Sequence, residues 1–180
     1  MKGGVLMISP IRAKIIGKLP KSLVNFIAKR LLDGYLNKYA NIKVEGKENL
    51  KNVDRPILFI CNHLSNSDGL ILNKVLKDED VTFVAGVKLK GNSTTNLGIN
   101  VVKTTPLHPN SADKDGITKI INLLKNGNNI LIFPEGTRSR VGKMMEAKKG
   151  IILIAKLTKA NIVPIGITGT EKLLPINKEG

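Results

Sequence analysis

The part of the chain that decides the fold covers residues 57–69, Ile57-Leu58-Phe59-Ile60-Cys61-Asn62-His63-Leu64-Ser65-Asn66-Ser67-Asp68-Gly69. Its first five residues are apolar and favour β structure, which is typical of a short buried strand. The Ser, Asn and Asp residues that follow are preferred N-cap residues, so they predict a helix that begins here. A buried strand that turns directly into a helix indicates an α/β fold. His63 lies in this turn, at the carboxyl end of the strand.

A second buried strand leads into a second polar motif. Residues 130–133 are apolar, and Pro134 ends this strand because proline cannot donate a backbone hydrogen bond. The motif covers residues 133–139 and has the sequence Phe-Pro-Glu-Gly-Thr-Arg-Ser. In open α/β sheets, ligand sites lie outside the carboxyl ends of the strands. We therefore expect both motifs to contribute to one site.

Short β-prone runs alternate with helical runs along most of the chain. The pattern predicts strands near residues 42–44, 57–61, 81–85, 99–102, 130–133 and 162–167. It predicts helices near residues 69–77, 112–126 and 147–158, the second of them capped by Ser111 and terminated by Gly127. Such alternation is typical of a largely parallel sheet covered by helices. We predict a single α/β domain over residues 41–180.

The first forty residues differ from the rest of the chain. They contain one acidic residue, Asp33, and eight basic ones: Lys2, Arg12, Lys14, Lys18, Lys21, Lys29, Arg30 and Lys38. Apolar residues recur at three-and-four spacing over residues 22–39, which predicts an amphipathic helix, and Pro20 separates it from a shorter segment at 11–19. We interpret residues 1–40 as a membrane-interfacial helical segment on an anionic membrane surface. A helix packed on the protein core is the alternative.

Composition favours an anionic partner. The 180 residues carry a formal net charge of +15 with a pI near 10.0, which suits a phospholipid surface, a nucleic acid or an acidic carrier protein. Only 3% of the residues are aromatic and none is Trp, so nucleic acid is disfavoured for lack of stacking side chains. A single Cys excludes an internal disulfide and favours a reducing, cytoplasmic location. Two His and one Cys without ligand spacing predict no metal site.

His63 and Asp68 have the chemistry of a general base and its partner. A neutral imidazole accepts a proton from a hydroxyl near neutral pH when its other ring nitrogen is held, which is the role expected of Asp68. Arg138 can grip phosphate oxygens with two hydrogen bonds. Cys61 is interpreted as a small buried side chain rather than a nucleophile. His108 is interpreted as a loop residue.

Together these motifs resemble the glycerolipid acyltransferase family, which includes bacterial 1-acylglycerol-3-phosphate acyltransferases. The family's H-x-x-x-x-D motif matches His63 and Asp68, its F-P-E-G-T-R-S motif matches residues 133–139, and a V-P-apolar motif matches residues 163–165. The resemblance covers residues 43–167. It implies an enzyme without a cofactor that transfers a fatty acyl group from acyl carrier protein or acyl-coenzyme A to a lysophospholipid, 1-acylglycerol 3-phosphate. We expect a peripheral or monotopic protein at the cytoplasmic face of the cell membrane.

One departure from the family affects the acceptor site. In the family, a second motif ends a short strand with an Arg that helps to bind the acceptor phosphate, and the matching stretch here, residues 98–104, has Lys103 instead. The residues expected to bind the phosphate are Lys103, Glu135, Gly136, Thr137 and Arg138. Glycerol 3-phosphate or another lysolipid stays an alternative acceptor. The remaining alternative is a non-catalytic basic module that binds membranes or nucleic acid.

Overall fold

Five parallel strands form the centre of the molecule. A computed structural model describes residues 20–86, 102–108 and 113–173. Within these residues the strands are β1 (Ile57–Cys61), β2 (Val81–Gly86), β3 (Thr104–Leu107), β4 (Asn129–Ile132) and β5 (Asn161–Ile165). They form one sheet in the order β3-β2-β4-β1-β5, in which all neighbours are parallel. The predicted α/β fold is confirmed. Because β1 and β4 are adjacent and parallel, the turns that follow them lie next to each other at the carboxyl ends of the strands.

Helices cover both faces of the sheet. They are α1 (Lys21–Tyr39), α2 (Asp68–Val75), α3 (Lys114–Lys125), α4 (Gly150–Thr158) and α5 (Thr170–Leu173), with 3-10 helices at Lys47–Asn52 and Lys77–Glu79. On one face Leu72 packs with Phe59, and on the other Ile120 and Ile154 pack with Leu58. Because successive side chains of a strand point to opposite faces, β1 is buried on both sides.

Helix α3 shows which local signals set its ends. The Asp113 side chain caps it by accepting a hydrogen bond from Gly116 N at 2.8 Å, whereas the predicted cap, Ser111, lies outside the described residues. At its other end Gly127 has a φ of 83°, in the left-handed region that glycine tolerates. The N–H groups of Gly127 and Asn128 donate to carbonyls of the last turn. The predicted terminator, Gly127, is confirmed.

One predicted strand is absent from the structure, and another lies mostly outside the described residues. Residues 41–45 form neither helix nor strand, so the strand predicted at 42–44 is wrong. Val44 is 49% exposed, so this short run buries too little apolar surface to add a strand. The strand predicted at 99–102 lies mostly outside the described residues, and the strand that pairs with β2 is Thr104–Leu107. It is an edge strand, where Pro106 is tolerated.

Helix α1 confirms the helix predicted over residues 22–39, although it begins one residue earlier. Ala28 and Leu36 are buried, and Lys74 of α2 donates a hydrogen bond to Asn37 at 2.7 Å, so one side of α1 faces the domain. The exposed large apolar residues of α1 are Leu23, Phe26, Leu31 and Tyr39. Among the described helices, none is both long enough and apolar enough to cross a membrane.

Candidate active site

His63 and Asp68 form the centre of a polar cluster at the carboxyl end of β1. Nδ1 of His63 lies 2.8 Å from Oδ2 of Asp68, which confirms the predicted pairing. The His63 side chain is 20% exposed, whereas the Asp68 side chain is fully buried. With Nδ1 engaged by a carboxylate, the other ring nitrogen, Nε2, is the atom suited to accept a proton. The pair therefore has the geometry of a base and its partner.

The turn between β1 and α2 orients Asp68. Its Oδ2 atom also accepts hydrogen bonds from Leu64 N at 2.7 Å and Ser65 N at 2.8 Å. These two N–H groups belong to the turn before α2, and Ser67, at the N-cap position, makes no side-chain cap bond. Three donors at one oxygen fix the direction of the carboxylate toward His63.

The second motif holds His63 from the neighbouring strand. The Phe133 ring stacks on the imidazole, with 4.0 Å between the ring centroids and 14° between the planes. His63 N donates to Oε1 of Glu135 at 2.8 Å, and Ser139 N donates to the carbonyl of His63 at 2.8 Å. Both backbone groups of His63 are thus bonded to a motif about seventy positions away. The two motifs form one unit.

Glu135 is a link within this unit. Its Oε1 accepts from His63 N, and its Oε2 accepts from Met145 N at 3.1 Å. The residue is only 2% exposed. Because both oxygens serve backbone N–H groups and a carboxylate repels phosphate, the predicted phosphate contact of Glu135 does not fit this geometry.

Gly136, Thr137 and Arg138 form the accessible part of the motif. Gly136 N donates to the Phe133 carbonyl at 3.1 Å, and Gly136 has a φ of 70°, which favours glycine. Gly136 and Thr137 are exposed, and Arg138 is half-buried. Among the residues that the structure describes, none forms a hydrogen bond or ion pair with the Arg138 guanidinium. The turn therefore offers a cation to an anionic ligand, and phosphate binding stays a prediction.

Lys103 lies away from this cluster. Its ammonium contacts the two carboxylate oxygens of Asp80 at 3.1 and 3.0 Å. Asp80 precedes β2 and Lys103 precedes β3, so this ion pair lies toward the amino ends of the strands, whereas His63 follows the carboxyl end of β1. The predicted phosphate contact of Lys103 therefore does not fit its placement. The residue that follows the carboxyl end of β3 is His108.

His108 makes a second contact of the same kind. Its Nδ1 lies 2.9 Å from Oδ2 of Asp113, and its backbone N–H donates to the same oxygen at 2.6 Å. The backbone hydrogen bonds from His108 and Gly116, followed by the contact with the imidazole, lower the pKa of Asp113 to about 2. The sequence pattern alone predicted a loop residue here. The signal it offered was the spacing, which equals that of His63 and Asp68.

Cys61 and Asn62 precede His63 and have different roles. Cys61 is fully buried, and burial, together with the negative charges of Asp68 and Glu135, raises its pKa to about 12. It is a packed thiol, as predicted, and not a nucleophile. Asn62 donates through Nδ2 to the Ile167 carbonyl at 2.9 Å and accepts at Oδ1 from Ile167 N at 2.8 Å. It ties the His63 turn to the segment after β5.

The arrangement suits proton transfer beside a turn that presents the cation of Arg138. His63 can accept a proton, Asp68 can stabilise the imidazolium that results, and Arg138 can hold a phosphate. In residues 20–86, 102–108 and 113–173, no group of three or more His, Cys, Asp or Glu side chains is placed to hold a metal ion.

Comparisons with known proteins agree with one another. Residues 41–168 match the family model described as Acyltransferase. The chain is 32% identical over 179 residues to the chloroplastic 1-acyl-sn-glycerol-3-phosphate acyltransferase LPAT1 of Arabidopsis thaliana, which covers 98% of this chain and 47% of that protein. It is 27% identical over 139 residues to the 1-acyl-sn-glycerol-3-phosphate acyltransferase of Bacillus subtilis, covering 77% and 68%.

A solved structure gives the same picture. The crystal structure of the 1-acyl-sn-glycerophosphate (LPA) acyltransferase PlsC from Thermotoga maritima is similar, with a TM-score of 0.64 and 26% sequence identity. The match covers 96% of this chain and 66% of that one. The chain spans about half the length of the chloroplastic relatives that it matches.

Proposed function

Since the chain belongs to the acyltransferase family, we propose that it transfers a fatty acyl group from a thioester to the free hydroxyl of 1-acylglycerol 3-phosphate. The observation that carries this proposal is the 2.8 Å contact of His63 Nδ1 with Asp68 Oδ2 beside the turn of Arg138. This contact provides a base for a hydroxyl, and the turn provides a cation for a phosphate. The names of relatives from plants and bacteria support this choice of acceptor.

In the proposed reaction His63 is the general base. Its Nε2 takes the proton of the acceptor hydroxyl while the hydroxyl oxygen attacks the carbonyl carbon of the thioester. The tetrahedral intermediate then collapses with cleavage of the C–S bond, and the proton passes from His63 to the departing thiolate. Asp68 holds Nδ1 and faces the transient imidazolium with its negative charge. The acyl group moves directly from sulfur to oxygen, which fits the buried and protonated state of Cys61.

Arg138 positions the acceptor in this proposal. Its planar guanidinium can bond two phosphate oxygens at once, which fixes the direction of the glycerol carbons that follow. Holding the hydroxyl next to Nε2 converts a collision into a reaction between bound groups, which lowers the barrier by several kcal/mol. Gly136 and Thr137 support this role because both residues are exposed beside Arg138.

We extend the proposal to the site of action, the cytoplasmic face of the cell membrane. Helix α1 exposes Leu23, Phe26 and Leu31 next to basic side chains, and the Arg30 guanidinium lies 5.9 Å from the centroid of the Phe26 ring. Cations beside exposed apolar side chains suit the boundary between headgroups and acyl chains. The protein would act there in phospholipid synthesis, with acyl carrier protein or acyl-coenzyme A as donor.

Purified protein and a panel of acceptors test the proposal. The panel contains 1-acylglycerol 3-phosphate, glycerol 3-phosphate, lysophosphatidylcholine and neutral 1-acylglycerol, each with both donors. We expect the highest kcat/KM for 1-acylglycerol 3-phosphate, with thiol and diacyl product formed in equal amounts. Absence of turnover, or a higher kcat/KM for glycerol 3-phosphate, would contradict the proposal. Equal sedimentation with anionic and neutral vesicles would contradict its membrane part.

A further inference from the structure

We propose that Lys148 is a second ligand of the acceptor phosphate, acting beside Arg138. This inference rests on the proposed function and names a further residue of the same site. Lys148 lies outside the F-P-E-G-T-R-S motif, in the pair Lys148-Lys149 that precedes helix α4. Its side chain lies over the motif turn at Gly136.

Two contacts place Lys148 on the motif turn. Its backbone N–H donates to the Pro134 carbonyl at 2.8 Å. Its side chain crosses Gly136, since a Cβ atom at this glycine would lie 3.6 Å from both Cγ and Cε of Lys148. The Cε atom carries the ammonium nitrogen, so the charge lies one bond beyond a contact with the turn. Lys148 therefore reaches the same short turn that presents Arg138.

The loop that carries Lys148 is held by side chains of the motif. Met145 N donates to Oε2 of Glu135 at 3.1 Å, and Lys143 N donates to Oγ of Ser139 at 3.2 Å. Glu135 and Ser139 also bond the two backbone groups of His63. Base, motif and loop thus form one hydrogen-bonded unit, which keeps the loop in a fixed position relative to His63.

The described residues provide no acidic partner that would neutralise the charge of Lys148. Within the described parts of the chain no acid pairs with its ammonium, whereas Lys103 pairs with Asp80 at 3.0 Å. The acid of the turn, Glu135, is buried and uses both oxygens for backbone N–H groups. Lys148 and Arg138 therefore bring two positive charges without acidic partners to one glycine turn, which suits the two negative charges of a phosphate monoester. Arg138 supplies a fork, and Lys148 supplies a point charge.

The test replaces Lys148 by Met, which keeps the aliphatic stem and the backbone N–H but removes the charge. Lys156→Met is the matched control, because Lys156 is an exposed lysine on α4. Lys148→Met should raise the acceptor KM about tenfold, as expected for one charge-assisted hydrogen bond, with little change in kcat or donor KM. Lys148→Arg should recover most of the loss, and Lys156→Met should resemble wild type.

A neutral acceptor separates phosphate binding from an effect on the loop. Because 1-acylglycerol has no phosphate, wild type and Lys148→Met should use it equally well. Equal losses on both acceptors, or an unchanged KM for the phosphorylated one, would overturn the proposal. If the wild type shows no turnover at all, the proposed function fails, and titration with inorganic phosphate decides on Lys148 by itself. Weaker phosphate binding by Lys148→Met than by Lys156→Met supports the inference, and equal binding rejects it.

Discussion

His63–Asp68 and His108–Asp113 have the same spacing and nearly the same contact, but they lie in different surroundings. Nδ1 meets Oδ2 at 2.8 Å in the first pair and 2.9 Å in the second. The first pair follows β1, which lies between two other strands, and the second follows β3 at the edge of the sheet. The His63 side chain is 20% exposed and that of His108 is 66% exposed. The spacing gives the contact, and the surroundings decide what the contact can do.

Burial and neighbours suit the first pair to the role of general base that we propose for it. At about 4 Å, opposite charges attract by roughly 1 kcal/mol in water and about 4 kcal/mol at the effective dielectric of a partly buried site. Asp68 is fully buried, so it can stabilise an imidazolium strongly. Its Oδ1 is also buried and has no hydrogen-bond partner among the described residues. Asp113 instead uses its other oxygen to cap α3 through Gly116 N at 2.8 Å. The second pair is built as a helix cap.

Removing each imidazole in turn is the strongest test of this difference. His63→Ala should lower kcat roughly 100- to 10,000-fold, because the acceptor hydroxyl loses the group that takes its proton. His108→Ala should change kcat by less than about tenfold, since His108 follows β3, which β2 separates from β4 and the turn of Arg138. Steady-state rates at saturating acceptor measure both. Equal decreases of kcat in the two variants would show that the different surroundings do not give the two pairs different roles.

The carboxylates give the second test. Asp68→Asn keeps the size of the side chain and an oxygen that can accept from Leu64 N and Ser65 N, but it removes the charge that faces the imidazolium. We expect kcat to fall roughly 100-fold. Asp113→Asn should leave kcat near wild type, because Asn is also a good helix cap. A normal rate for Asp68→Asn would show that Asp68 only holds the conformation of its turn.

Much of the fold could be predicted because the signals for β1, β2, β4 and β5 are local. Each is an apolar run that ends at a turn residue, and each lies within two residues of its predicted start. The position of β3, in contrast, is not encoded by a local sequence signal. Thr104–Leu107 is not an apolar run, and it forms a strand through its pairing with β2, in which Thr104 lies opposite Phe83. A short edge strand is chosen by its partner and not by its own hydrophobicity.

In the candidate site, too, the local contacts can be predicted from the sequence and the long-range contacts cannot. His63 and Asp68 lie five positions apart in one turn, so their pairing can be predicted from the sequence alone. The partners of Glu135 and Lys103 do not follow in this way. Glu135 accepts hydrogen bonds from His63 N and Met145 N, and Lys103 pairs with Asp80. The roles of Glu135 and Lys103 depend on these partners, which become neighbours only in the folded chain. Asn62 and Ile167, which are 105 positions apart, form another such contact.

The turn proposed to bind the acceptor phosphate sharpens the comparison further, because Arg138 belongs to the motif that holds His63. Arg138→Lys keeps the charge and loses the fork, so the acceptor KM should rise about tenfold while the donor KM stays unchanged. In a His108→Ala background the same change should have the same effect, since distant sites act independently. Equal increases in both KM values would mean that Arg138 holds the turn rather than the phosphate.

The smallest expected effect concerns the second pair and is a matter of stability. Hydrogen bonds to Asp113 lower its pKa from an ordinary value of 3.8 to about 2, so its ionised form is favoured in the folded state. A group with a depressed folded pKa stabilises the protein above its unfolded pKa, and this contribution is lost as pH falls through about 4 toward 2. Asp113→Ala should therefore lower the Tm at pH 6, and the difference from wild type should shrink as the pH approaches 3.

The matched control for this effect is Asp115→Ala, which removes an exposed carboxylate from the first turn of the same helix. Its Tm difference from wild type should be smaller at pH 6, because Asp115 is not the residue that caps Gly116 N. Thermal unfolding followed by circular dichroism from pH 6 to pH 3 measures both variants. A Tm difference for Asp113→Ala that is independent of pH, or equal to that of Asp115→Ala, would show that the hydrogen bonds from His108 and Gly116 to the Asp113 carboxylate add no measurable stability. The helix cap formed by the second pair would then be a contact without an energetic role.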